Sequence, residues 1–116
     1  MVHCCHNLFH YEKETALAER IVGLMGGGYK VYFSNSGAEA VEGAVKLAKY
    51  ATERPAIIAF KGSFHGRTMM CTSLTASNSA YRKHYEGLVP SIYFAEYPKL
   101  FGTPYKMEDG KCPKQY

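Results

Sequence analysis

The sequence has no long apolar run. Its longest, such as Ala56 to Phe60, are about five residues, whereas a bilayer needs about 20, so no segment is expected to span a membrane. It also has no block of like charge. The 14 Lys and Arg outnumber the 10 Asp and Glu, but the lysines are spread from Lys13 to Lys114, so the net charge of +4 describes a mildly basic surface and argues against nucleic acid as a partner. Met1 to His10 lack the basic and apolar regions of a secretory signal, which points to a reducing, cytoplasmic setting. There is no internal repeat and no low-complexity tract. What is present is a chain of 116 residues that is 47% hydrophobic and 14% aromatic, a composition that excludes intrinsic disorder and matches the size of one domain.

Metal-ligand spacing is missing as well. The four cysteines are Cys4, Cys5, Cys71 and Cys112, and the adjacent pair sits inside His3-Cys4-Cys5-His6. Four consecutive residues do not converge on one ion, because structural zinc sites space their ligands so that the chain can wrap the metal. No metal site is therefore expected, and the segment reads as extended chain with reduced thiols, Cys4 and His6 sharing one face.

From Lys13 to Met25 the apolar residues Leu17, Ile21, Leu24 and Met25 recur at helical spacing, and Gly26-Gly27-Gly28 stops the helix. Tyr29 to Ser34 alternates, with Val31 and Phe33 against Lys30 and Tyr32, which predicts a strand. Ala38 to Thr52 carries Val41, Ala44, Val45 and Ala48 as a single stripe, with Glu39, Glu42, Lys46 and Lys49 opposite, and Pro55 ends the helix by disfavouring the α conformation before it. Ala56 to Phe60 reads as a short buried strand. Strand, helix and strand over about thirty residues make a βαβ unit and predict an α/β fold with flanking helices. Beyond it, Gly66 to Leu74 reads as a short helix, Ser91 to Ala95 as a third strand, and the proline-bearing tail from Tyr97 as loop.

Two strand-end motifs carry the chemistry. The first is Ser34-Asn35-Ser36-Gly37-Ala38-Glu39, where a helix N-terminus presents unpaired N–H groups and glycine lets an anion approach the backbone. The same residues also fit a plain helix start, with Ser36 as N-cap and Gly37 relieving the turn. The second is Gly62-Ser63-Phe64-His65-Gly66-Arg67-Thr68. Phe64 is able to lie against a planar ring and Arg67 to take a carboxylate bidentately; the structural alternative makes Phe64 core, His65 a capping or loop residue and Arg67 a surface charge. Ligands bind outside the carboxyl ends of parallel strands, so both motifs should face one crevice. A phosphate seat beside an aromatic and a cation describes a phosphorylated planar cofactor next to a carboxylate substrate.

The stretch Phe33 to Lys49, F-S-N-S-G-A-E-A-V-E-G-A-V-K-L-A-K, followed by A-I-I-A-F-K-G-S-F-H-G-R-T from Ala56 to Thr68, closely resembles the class III pyridoxal-phosphate aminotransferases, and within them the 4-aminobutyrate and ornithine-type branch. The resemblance runs from His3 to Tyr105. It implies the large domain of fold type I pyridoxal-phosphate-dependent transferases, pyridoxal 5'-phosphate as cofactor, amino-acid and 2-oxo-acid substrates, and a homodimer. By the same resemblance, the Gly37 and Ala38 backbone holds the phosphate with Ser36 adjacent, Phe64 stacks on the pyridine ring with His65 beside it, and Arg67 contacts a substrate carboxylate. Alternatives that keep these residues are a non-catalytic phosphate-ligand module, or an aminomutase or racemase on the same fold.

Transamination also needs a lysine that bonds the cofactor and an acidic group that keeps its ring nitrogen protonated. None of the ten lysines lies in a context resembling the family's lysine motif, and the only aspartate is Asp109, so no catalytic residue is assigned. Residues 1–116 are accordingly expected to be an incomplete, N-terminal part of the large domain, inactive in isolation.

Overall fold

A computed structural model of the chain describes residues 10–97. His3, Cys4, Cys5, His6, Cys112, Asp109 and the tail beyond Tyr97 lie outside the described residues. The chain divides into two units, Met1–Ser34 and Asn35–Tyr116.

In the first unit, helix α1 spans Glu12–Leu24, one residue short of the expected span at its end. Glu12 and Glu14 stand in the first turn, where carboxylates complement the partial positive charge of the helix terminus. The Gly27 N–H returns to the Val22 carbonyl at 2.9 Å, and Gly26, Gly27 and Gly28 all take positive φ, so the glycine run does stop the helix. The strand expected over Tyr29 to Ser34 is not formed. Its alternation suits a pleat, but a strand exists through a hydrogen-bonded neighbour, and among the described residues none pairs with it.

In the second unit, α2 covers Gly37–Thr52. Ser36 caps it by accepting the Glu39 N–H at 3.2 Å, and the Glu39 carboxylate accepts the Asn35 N–H at 2.7 Å. This is the reciprocal serine and glutamate arrangement of a capping box, displaced by one residue. The other end closes on Glu53 in the left-handed region, its N–H bonded to the Lys49 carbonyl at 2.9 Å.

Strand β1, Ile57–Phe60, pairs in parallel with β2, Ile92–Ala95, in the register Ile57↔Ile92 through Phe60↔Ala95. The parallel pair therefore falls one step later than the βαβ unit expected between Tyr29 and Phe60. Its crossover, residues 61–91, contains helix α3, Met69–Leu74, and a single turn of 3-10 helix at Ser79–Tyr81. The α/β class stands. The core consists of Val45, Ala59 and Leu74, with Val41, Ile57, Met70, Ile92 and Phe94 packed against it. Of the expected stripe on α2, Val41 and Val45 turn inward, whereas Ala44 and Ala48 are exposed. The outer sheet face is open: Ile58 is 69% and Tyr93 61% exposed, so β1 is buried on one face, not both.

Among the described residues no helix is long and apolar enough to cross a membrane.

Candidate functional site

Where α2 begins, the helix leaves its leading N–H groups without intrahelical acceptors. Ser36 Oγ satisfies that of Glu39. The amides of Gly37 and Ala38 have no acceptor among the described residues. Open space also lies beside Gly37, since apart from its chain neighbours and its own helix backbone no heavy atom comes within 4 Å of where a Cβ would stand. Two adjacent donors, a nearby hydroxyl and a bare Cα suit an anion of phosphate size.

The second motif is a loop pinned at its base. The Gly62 N–H donates to the Ala76 carbonyl at 3.1 Å and the Ala76 N–H to the Ser63 carbonyl at 2.9 Å. Inside the loop, Thr75 is fully buried. Its hydroxyl oxygen accepts the His65 N–H at 3.0 Å and its proton goes to the Cys71 carbonyl at 2.8 Å. One threonine thus satisfies the loop and the end of α3, because a buried amide must find an acceptor.

Gly66 joins this loop to the first motif. It sits at φ +127°, and a Cβ there would lie 2.8 Å from Ala38 Cβ and 3.2 Å from Cys71 Cβ. Only glycine combines that backbone with so close an approach. Two further bonds hold the junction: Cys71 Sγ donates to the Ala38 carbonyl at 3.3 Å, and Thr68 Oγ1 donates to Glu42 Oε1 at 2.6 Å. The structure therefore brings the two motifs into contact at the head of α2.

The side chains expected to meet a ligand gather on a residue that motif reading passed over. Tyr81 meets the Phe64 ring edge-on, with centroids 5.2 Å apart and planes at 60°. The Arg67 guanidinium lies 5.9 Å from the centroid of the same tyrosine, within reach of its π face. Tyr81 sits in a single helical turn that Asn78 caps through its side-chain oxygen on the Ala80 N–H, at 2.9 Å. Its only sequence signal is the density of tyrosine after Thr75. Phe64 is 50% exposed, so it is not the core residue of the structural alternative. His65 is half-buried and its Nε2 stands 3.1 Å from Ser63 Oγ.

A shallow cavity of about 490 Å³ lies elsewhere in the crossover, lined by Lys61, Ala76, Asn78, Ser79, Arg82 and Phe94. It contains none of the six residues singled out in the sequence. Its arginine, Arg82, rests over the Phe94 ring at 4.9 Å. Among the described residues no cluster of three or more His, Cys, Asp or Glu side chains is placed to hold a metal ion.

The family model for "Aminotransferase class-III" matches residues 1–115. A probable 4-aminobutyrate aminotransferase of Bacillus subtilis (strain 168) is 37% identical over 111 residues, covering 94% of this chain and 26% of the relative. An acetylornithine aminotransferase of Archaeoglobus fulgidus is 43% identical over 102 residues, covering 88% of this chain and 26% of the relative. The chain thus spans about a quarter of the length of these curated relatives. Among solved structures, an amine transaminase from an uncultivated Pseudomonas species, in its PLP-bound form, superposes with a TM-score of 0.73 at 27% identity, covering 83% of this chain and 23% of that one.

Proposed function

Given that the chain belongs to the class III aminotransferases, we propose that it forms the phosphate- and ring-holding part of a pyridoxal 5'-phosphate enzyme, one that moves an amino group from an ω-amino acid such as 4-aminobutyrate or ornithine to 2-oxoglutarate. The observation that carries this reading is the Gly66 contact with Ala38, which closes the aromatic and cationic loop onto the open amides of α2. When bound, the cofactor supplies an electron sink for the carbon that bears the amino group.

The chain's own residues hold and orient. The Gly37 and Ala38 N–H groups donate to the phosphate, with the Ser36 hydroxyl adjacent, and the partial positive charge of the helix terminus favours the anion. Phe64 lies against the pyridine ring, where its half-exposed face is available. His65 stands beside the ring. Arg67 takes a carboxylate of the substrate, a planar pairing that fixes orientation as well as charge.

The helix terminus contributes at most about 2 kcal/mol, stacking about 1 kcal/mol, and each phosphate hydrogen bond roughly 1.5 to 3 kcal/mol. Association itself costs at least about 4 kcal/mol. Binding to residues 1–116 alone is therefore expected to be millimolar or weaker, and catalysis to require a covalent lysine and an acidic partner for the ring nitrogen that are not assigned among these residues. We propose that the chain is part of the large domain of a cytoplasmic homodimer.

Pyridoxine 5'-phosphate, which lacks the aldehyde that would react with surface lysines, tests the seat. Titrated into the 15N-labelled chain, it is expected to shift the Gly37 and Ala38 amides, and pyridoxine without phosphate to leave them in place. Equal shifts from both compounds, or none at tens of millimolar, would count against the reading. For an enzyme containing the segment, formation of glutamate from 2-oxoglutarate with 4-aminobutyrate or ornithine is the expected activity, and racemisation without 2-oxoglutarate would replace it with the racemase alternative.

A further inference from the structure

His65 is tied to its surroundings at two points, and the one on its ring has a chemical consequence. Nε2 lies 3.1 Å from Ser63 Oγ. A hydroxyl carries one proton, and that of Ser63 is given to the carbonyl of Phe60, the last residue of β1. The serine oxygen consequently faces the imidazole with a lone pair. The hydrogen between the two groups must then reside on Nε2. A neutral imidazole has a single N–H, so Nδ1 is left as an acceptor, and among the described residues nothing bonds to it.

The remaining contact does not involve the ring: the His65 backbone N–H donates to Thr75 Oγ1 at 3.0 Å. Backbone position and ring state are thus set by different residues. Thr75 places the histidine, and Ser63 selects which ring nitrogen is occupied. Because the anchor is the Phe60 carbonyl, the serine hydroxyl is held at the end of β1.

We propose that Ser63 is a positioning residue that fixes His65 in the Nε2-protonated form and leaves Nδ1 to accept a hydrogen bond from a hydroxyl on the bound ring. The ligand half rests on the cofactor reading above; the tautomer half stands without it. A serine here makes the histidine an acceptor toward the ligand, whereas a residue with no hydroxyl frees both nitrogens and removes that bias.

The test uses the 116-residue chain labelled with 15N-histidine, with His65→Gln to assign the resonances. Long-range proton-nitrogen spectra are expected to show His65 protonated at Nε2, with an observable Hε2 proton. In Ser63→Ala that proton is expected to exchange with solvent about fivefold faster, the equivalent of about 1 kcal/mol for one hydrogen bond, and both tautomers to appear. Ser63→Thr, which restores a hydroxyl, is expected to recover the single form. The Thr75 bond to the His65 backbone is untouched by either substitution. A proton on Nδ1 in the unaltered chain, or no change in Ser63→Ala, would overturn the assignment. Adding pyridoxine 5'-phosphate should then move Nδ1 and leave Nε2 in place, and movement of Nε2 instead would overturn the ligand half. If the tautomer follows Ser63 while the compound moves no resonance at all, the Ser63 assignment is supported and the cofactor reading alone is overturned.

Discussion

The junction between Gly66 and α2 and the outer face of the sheet are built in opposite ways. At the junction the buried side chains are small and mostly polar: Cys71, Thr72, Ser73 and Thr75 are all buried, two of them completely, and the Cys71 thiol and the Ser73 and Thr75 hydroxyls donate to the backbone carbonyls of Ala38, Met69, Gly66 and Cys71. On the sheet face the residues are large and apolar, yet Ile58 and Tyr93 are mostly exposed. Directional bonds and close approach define the first region, and non-directional apolar area defines the second. A site that must hold groups within tenths of an ångström is better served by the first, because a hydrogen bond specifies an angle as well as a distance. Apolar area stabilises only what covers it.

Breaking the junction should have the largest effect. Gly66→Ala places a methyl group 2.8 Å from Ala38 Cβ at a φ of +127°, and combines backbone strain with overpacking, so a loss of about 3 kcal/mol is expected. Urea unfolding would read it, and a midpoint within error of the parent chain would show that the two motifs are not tightly joined. A smaller effect belongs to the cap. Ser36→Ala removes the acceptor of the Glu39 N–H and should lower stability by about 1 kcal/mol in the same measurement, with weaker binding of pyridoxine 5'-phosphate beside it. The smallest is on the open face: Ile58→Gln should change stability by no more than about 0.5 kcal/mol, because the side chain is already 69% exposed. A change as large as that at Gly66 would erase the contrast between the regions.

Much of this arrangement is legible along the chain. The stripe of Val41 and Val45, the glycine stop after α1 and the apolar run at β1 are local patterns, and α1, α2 and β1 each stand within a residue of the expected span, whereas α3 starts at Met69, three residues later than expected. The family motifs likewise point to Ser36, Gly37, Ala38, Phe64, His65 and Arg67. Tyr29 to Ser34 shows the limit of alternation, which describes a surface that suits pairing and says nothing about whether a partner is hydrogen-bonded to it. Ala44 and Ala48 show another, since a helical stripe is wider than the core that receives it. The role of Gly66 depends on Ala38, 28 positions earlier by residue number, and Tyr81 earns notice only through contacts with Phe64 and Arg67. Such long-range approaches leave no periodic trace.

The parallel pairing of β1 with β2 has a kinetic consequence. Before Ile57 can stand opposite Ile92, the chain must close the loop of residues 61–91, and a flexible loop of that length loses entropy worth about 3 kcal/mol. That loop contains Phe64, His65, Arg67 and Tyr81. The hydrogen bonds that join Gly62 and Ser63 to Ala76, and Ser73 to Val89, lie inside that loop and shorten the free chain before the strands meet, so the bonds that pin the loop also act as the splint on which the sheet forms.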